Sequence, residues 1–331
     1  MCKTGLLAGL MLILGGATQS DDPWIVYKGG DGPGKGKHIV LVAADDEYRS
    51  EELIPQLAKI LAKQHGFTCT VLFAIDKKDG TINPGQRDNI PGLEALKKAD
   101  LLILFARFRQ LPDEQMKYIV DYLDTGKPII GLRTSTHAFN YDGKSKSPYR
   151  KYTWTDSTFA GGFGRQVLGE TWVSHYGNHN VESTRGLIAK GMEKHPIVKG
   201  VEDIWGPSDV YGLNNLTGDS RPIIMGQVLK GMKPKDEPNP KKALMPIAWI
   251  KSWTGPSGKK ARVFTTTMGH GGDFKSEGVR RFLVNAAYWC LNMEDNIPER
   301  SNVEIVGTYN PPPIGVGGHR KGIKPAELKI E

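Results

Sequence analysis

Cysteine is scarce in this chain, with three in 331 residues, at Cys2, Cys69 and Cys290. That excludes a disulfide-stapled scaffold, which is cysteine-dense. Cys69 falls in a strand-like run and Cys290 in a helix-like one, so both are expected to be inert buried thiols. No apolar stretch reaches the roughly 20 residues of a membrane-spanning helix, the run from Gly5 to Gly16 included. No internal repeat recurs, which excludes solenoids and propellers. The net charge of +8 comes without a recognition helix or an aromatic RNA-binding motif. Lys and Arg are scattered and densest in turns, at Lys233 to Lys242 and Ser257 to Lys260, so they read as solvated surface and no nucleic-acid partner is expected. What remains, 39% hydrophobic and 24% charged residues, suffices for a full core in one large domain.

The start of the chain is ordered basic, apolar, small, polar: Lys3, then Gly5 to Gly16, then Gly15-Gly16-Ala17, then Thr18 to Asp22. This is the order of a signal peptide, assigned to residues 1–20. A buried core helix is the alternative, but it would carry a polar face and this run has none. No Cys follows the run closely, so a lipid anchor is not expected. The mature protein is expected in the periplasm or outside the cell, with no membrane association after signal removal.

From residue 24 to 293 strand-like and helix-like patterns alternate. His38 to Ala43 is a β-branched apolar run, and Leu53, Leu57, Ile60 and Leu61 then mark one helical face from Ser50. Phe67 to Ala74, Asp100 to Ala106 and Lys127 to Leu132 read as strands, with a helix between Pro112 and Gly126. Apolar strands alternating with helices predict an α/β fold: a doubly wound, largely parallel sheet with helices on both faces. Periodicity fades from Asp142 to Trp172, a long excursion of the kind that covers or lines a site. Later strands are expected at Gly186 to Ala189, Ile223 to Val228, Met245 to Trp253 and Arg262 to Met268, the last two forming a hairpin over Gly255 to Gly258. A final amphipathic helix spans Ser276 to Asn292. Residues 294–331 form a Pro/Gly-rich tail expected to wrap the surface or stay mobile.

In such a sheet the ligand lies beyond the carboxyl ends of the strands. Four segments occupy those places: Asp45 to Arg49 (with Asp46 a ligand-binding candidate), Arg107 to Arg109, Arg133 to His137, and Gly269 to Gly272. The sharp turn after Gly131-Leu132 is where class I glutamine amidotransferases place their Cys nucleophile. Here the residue is Arg133, so transfer of ammonia through a thioester has no thiol to use. Together, HIVLVAADDEYR, ADLLILFARFRQLPDEQ, KPIIGLRTSTHAF, WVSHYGNH, Asp209-Val210-Tyr211, MPIAWIKSW and ARVFTTTMGHGGDF resemble the ThuA-like (trehalose-utilisation) family. The resemblance covers most of the mature chain and implies a class I glutamine amidotransferase-like, flavodoxin-like fold. Many members carry His at the elbow, where this chain has Arg133, with His137 four residues on.

If the elbow opens a helix, Arg133 and His137 share a face near its positive end, suited to a polar or anionic ligand group. The competing reading is a helix-start His137 bonded to the Asp142 region. His175 and His179 have the spacing of two imidazoles on one metal if their segment is helical. Gly177 and Asn178 argue instead for a loop and hydrogen bonding; zinc is the metal that His137, His175, His179 and His270 together would take. His270 lies between glycines that permit close backbone approach, or is a turn histidine. Asp209 and Tyr211 add a carboxylate and a hydroxyl, or form a surface turn. Trp154, Trp172, Trp205, Trp249 and Trp253 offer stacking platforms for sugars, or core packing.

The resemblance implies an enzyme acting on a small-molecule carbohydrate, a sugar or keto-sugar, by isomerisation or by elimination or hydrolysis of a keto-glycoside. On that reading His137 and His270 are the catalytic acid and base, Arg133 anchors the ligand and His175 and His179 position it. The four histidines are expected in one cavity with Arg133 on its floor, their pKa values lowered by its charge. A non-catalytic carbohydrate-binding or surface-interaction protein on the same fold is the alternative. Protein recovered from outside the cytoplasm should begin near Ala17 to Ser20 on N-terminal sequencing. Recovery of an intact Met1 would refute the signal peptide.

Overall fold

A computed structural model describes residues 22–330, so the expected signal segment lies outside the described residues. Strands β1 (Trp24–Tyr27), β2 (His38–Ala44), β3 (Thr68–Phe73), β4 (Leu101–Ala106) and β5 (Ile129–Leu132) alternate with helices α1 (Ser50–His65) and α2 (Asp113–Leu123). Then follow β6 (Ser174–His175), β7 (Thr184–Ile188), β8 (Trp205–Gly206), β9 (Tyr211–Gly212), β10 (Arg221–Val228), β11 (Met245–Thr254), β12 (Lys260–Thr266) and helix α3 (Glu277–Cys290).

One sheet of ten strands runs β1-β3-β2-β4-β5-β12-β11-β10-β7-β8. Its core, β3-β2-β4-β5-β12, is parallel. The period of two divides each core strand between layers: Ile39, Leu41 and Ala43 face the side packed by α1 and α3, while Val40, Val42 and Ala44 face the side of α2. Both faces are covered, which is why these strands read as continuous apolar runs. Helix α1 carries Glu51 and Glu52 in its first turn and ends at Gly66, whose φ of 79° lets its N–H cap the carbonyls of Leu61 and Ala62.

The largely parallel sheet expected from the sequence is this core, and beyond β12 the strands β11, β10, β7 and β8 extend it in antiparallel sense. The reason is connection length. Gly255 to Gly258 is a tight turn between β11 and β12, and a parallel neighbour would need a crossover of about a dozen residues or more. Cys69 and Cys290 are free and buried. The 142–172 excursion holds a short 3-10 turn (Arg150–Tyr152) and a π-helical turn (Gly164–Leu168). It presses backbone to backbone on the elbow: a Cβ on Gly164 would lie 1.9 Å from the Thr136 carbonyl oxygen.

The tail wraps the domain and joins its core. Ile297, Val303 and Val306 are buried. The Tyr309 hydroxyl donates to the Gly271 carbonyl at 2.7 Å, the Gly315 N–H donates to the Glu47 carbonyl at 2.9 Å, and the Tyr27 hydroxyl donates to the Leu328 carbonyl at 2.7 Å. Three buried apolar side chains at about 1.5–3 kcal/mol each are comparable with the net stability of a domain. Truncation after Asn296 should therefore lower Tm by more than 10 °C (about 2–4 °C per kcal/mol for a domain of roughly this size) or leave the protein insoluble. An unchanged melt would show the tail to be an ornament.

Candidate functional site

The carboxyl ends of β2, β4 and β5 share an uncommon feature. The residues Arg49, Phe108 and Arg133, which follow these strands, have φ of 67°, 52° and 39°. Positive φ costs on the order of 1–3 kcal/mol in a bulky residue, and such strain gathers at functional sites. Asp45 holds the first of these turns, accepting from the Glu47 N–H at 2.9 Å, the Tyr48 N–H and the Thr134 hydroxyl at 2.7 Å.

Arg133 is fully enclosed. Its guanidinium lies between the rings of Tyr48 and Tyr211, 4.0 and 4.3 Å from their centroids. It donates to Asp209 Oδ1 at 2.9 Å and to the Thr267 carbonyl at 2.7 Å. Neither its side chain nor that of Asp209 reaches solvent, both being 0% exposed. The sequence reading gives Arg133 to a ligand group; in this structure its guanidinium is engaged by Asp209, the Thr267 carbonyl and the two rings. The shared-face argument with His137 also changes, because Arg133–His137 is a 3-10 helix. At three residues per turn, side chains four apart diverge by about 120°.

Asp209 in turn holds two imidazoles. It accepts at Oδ2 from His175 Nδ1 at 2.6 Å and at Oδ1 from His179 Nδ1 at 2.9 Å. Burial opposes its ionisation, but Arg133 and these hydrogen bonds hold its carboxyl well below the usual range. A carboxylate at each Nδ1 places that proton there in the neutral ring and leaves the Nε2 lone pair free. The side chains of His175 and His179 are 38% and 29% exposed, and their ring centroids lie 4.9 Å apart. They flank a bend and are not on a helix, His175 in β6 and His179 in the turn that follows. Ser174–His175 pairs with Tyr211–Gly212, and the N–H groups of Tyr176 and Gly177 both donate to the Val210 carbonyl.

The two outer histidines flank this pair. The His137 ring lies 5.6 Å from Trp172 and 6.3 Å from Tyr211, while Tyr48 lies 6.0 Å from His179 and 6.2 Å from His270. The rings thus form a row, His270–Tyr48–His179–His175–Trp172–His137. Burial, ahead of the charges of Arg107 and Arg133, pushes His137 well below its usual pKa. His137 is 3% exposed, and its Nδ1 meets the Thr136 hydroxyl at 3.2 Å, not the Asp142 region. Burial also lowers His270, to about 4. Its Nδ1 accepts from the Gly272 N–H at 2.6 Å, so its proton resides on Nε2 and that atom can donate but not accept.

Asp46 is engaged by Arg107 at 2.8 Å, and Arg107 also pairs with Glu47 at 3.1 Å. Glu47, Tyr48, Arg107 and Asp273 were not singled out in the sequence, although DDEYR and RFR mark strand ends. Glu47 Oε1 is 3.8 Å from His179 Nε2, and Asp273 accepts from the N–H groups of Gly269 and His270 at 2.9 and 3.1 Å. Each of His175, His179 and Asp209 offers a ligand atom within 4.8 Å of the others, a set that can hold a divalent ion. His137 and His270 are not members of that set. Trp249 is core, 0% exposed with its N–H on the Leu168 carbonyl at 2.7 Å.

A family model described as ThuA, trehalose utilisation, matches residues 40–290. A ThuA-like protein from Parabacteroides merdae shares the fold at a TM-score of 0.50 with 13% identity, covering 90% of this chain and 100% of that one. Another, from Bacteroides uniformis, aligns at a TM-score of 0.47 with 15% identity over 79% of this chain and 93% of that one. No curated protein matches the chain.

Removing one member of a buried ion pair strands the other, at about 3–5 kcal/mol. Arg133→Met should cost that much in denaturant unfolding, and Arg133→Met with Asp209→Asn should recover part of it. Equal stability of Arg133→Met and the parent would refute the organising role of the pair.

Proposed function

The chain belongs to the ThuA family, linked to trehalose utilisation, and we propose that it is an exported enzyme that moves protons on a sugar or keto-sugar. The observation that carries this reading is the single buried carboxylate of Asp209 orienting both His175 and His179 at Nδ1. That arrangement supports one Nε2 as general base and the other, protonated, as general acid on adjacent atoms of one sugar ring. In isomerisation the base removes a proton next to a carbonyl while the acid protonates the carbonyl oxygen. In elimination from a keto-glycoside the same base acts and the acid protonates the departing glycosidic oxygen. His137, buried, and His270, half-buried, are both held neutral by desolvation and flank the pair, and His270 offers a hydrogen-bond donor. A two-carboxylate glycosidase mechanism has less support, since Asp46 and Glu47 both pair with Arg107 and Asp209 is sealed.

A second reading follows from the ligand spacing of His175, His179 and Asp209, in which these three residues would hold a divalent ion such as zinc, which would supply Lewis-acid polarisation of a sugar oxygen.

The test is to incubate mature protein with trehalose and with trehalose bearing one ring ketone, in deuterated water, and to follow exchange and products by NMR. His175→Ala and His179→Ala should each lower turnover by about 100-fold or more with Tm nearly unchanged. Undiminished turnover in both variants would sink the proton-transfer reading. Loss of turnover on chelation, restored by zinc, would select the metal reading, and ligand binding without any turnover would select a binding protein.

A further inference from the structure

The tryptophans of this chain fall into two kinds. Trp205, Trp249 and Trp253 donate their indole N–H groups to the Ser183 hydroxyl and to the carbonyls of Leu168 and Leu123. Those of the other four, Trp24, Trp289, Trp154 and Trp172, find no acceptor among the described residues and are not sealed from solvent; Trp24 lies on β1 and Trp289 on α3, and the pair beside the imidazole row is Trp154 and Trp172. Both side chains are half-buried, and their rings lie 5.7 Å apart at 60°. Both come from the long excursion, held against the elbow by the Thr171 hydroxyl, which donates to the Trp154 carbonyl at 3.0 Å and to the Thr136 carbonyl at 3.3 Å.

Phe108 completes the group. It is half-buried, 5.9 Å from Trp154 and 5.0 Å from His137. Its φ of 52° is a conformation that an aromatic residue rarely adopts. The turn is fixed by its N–H on the His137 carbonyl at 3.0 Å, and the Arg107 guanidinium lies 4.8 Å from its ring. Core packing explains neither a strained aromatic left partly open nor two indole donors facing solvent. An apolar face of a sugar ring over these rings, with its hydroxyls at the indole N–H groups, meets both requirements. The Trp172 ring is 5.8 Å from that of His175, so a ring lying there adjoins the imidazole pair.

We propose that Trp154, Trp172 and Phe108 form a carbohydrate-stacking subsite that holds the second, non-reacting ring of a glycoside while the first ring lies at His175 and His179. This deepens the sugar reading above and rests on it. The substrate class is accordingly a disaccharide or a glycoside with a ring-sized second group, and a free monosaccharide leaves the platform empty.

Intrinsic fluorescence and calorimetric titration of the mature protein with trehalose, keto-trehalose and glucose test this. At least one of the disaccharides should bind tenfold or more tighter than glucose. Trp172→Ala and Trp154→Ala should bring that ratio within about twofold, with glucose binding unaltered. Trp172→Phe, which keeps a ring, should retain most of the ratio and guards against a misfolded alanine variant, as does an unchanged melt. Equal binding of disaccharide and monosaccharide by the parent, a ratio that survives both alanine variants, or no binding of any of these sugars overturns the subsite. Tight disaccharide binding without turnover leaves the subsite standing and overturns only the proton-transfer reading.

Discussion

A single buried cation organises this edge of the sheet. Taking the Arg133 guanidinium out of water costs several kcal/mol, and a carboxylate, a carbonyl and two aromatic faces offset that cost, while its buried Nε finds no partner. Those partners come from the loop after β2 (Tyr48), the segment leading into β9 (Asp209 and Tyr211) and the end of β12 (Thr267). Each group is thereby fixed relative to the elbow. The imidazoles inherit that order at one remove, since Asp209 holds His179 by the oxygen that faces Arg133 and His175 by the other oxygen of the same carboxylate. Backbone strain at three successive strand ends persists because this network over-determines the conformation there.

The core of the fold was legible because the parallel strands are covered on both faces and their composition shows it. HIVLVAA and LLILFA could not be half-solvated, and α1 and α3 announce themselves by helical period and by capping residues, Gly66 and Ser276. The antiparallel half was less legible. Whether a strand runs with or against its neighbour depends on a connection's path, and only the tight turn at Gly255 to Gly258 carries that information in its length. Strands as short as Ser174–His175 have no period to read.

For the site, position was easier to read than role. The rule that ligands lie beyond strand ends drew attention to the segments that hold Arg133, His137, His270 and Asp46. It could not say that Arg133 would turn inward, since a charged side chain at an elbow serves equally well as anchor or as prop, and burial is a tertiary fact. Asp209 reads in sequence either as a pocket carboxylate or as a surface turn, and its placement opposite Arg133 makes it the support of two imidazoles. Tyr48 and Glu47 lay within DDEYR, but no local pattern separates a stacking tyrosine from a core one.

The separation of these partners along the chain bears on the order in which the protein can be made. Arg133 meets Asp209 across 76 residues and Thr267 across 134. The central parallel neighbour of β5 is β12, so the strand carrying the elbow stays unflanked on one side until residue 266 has been synthesised. A nascent chain that buried its first strands early would enclose an uncompensated guanidinium. The elbow is therefore bound to close late, after the ribosome has released most of the domain, and its closure is the step at which assembly of the edge becomes cooperative with assembly of the sheet.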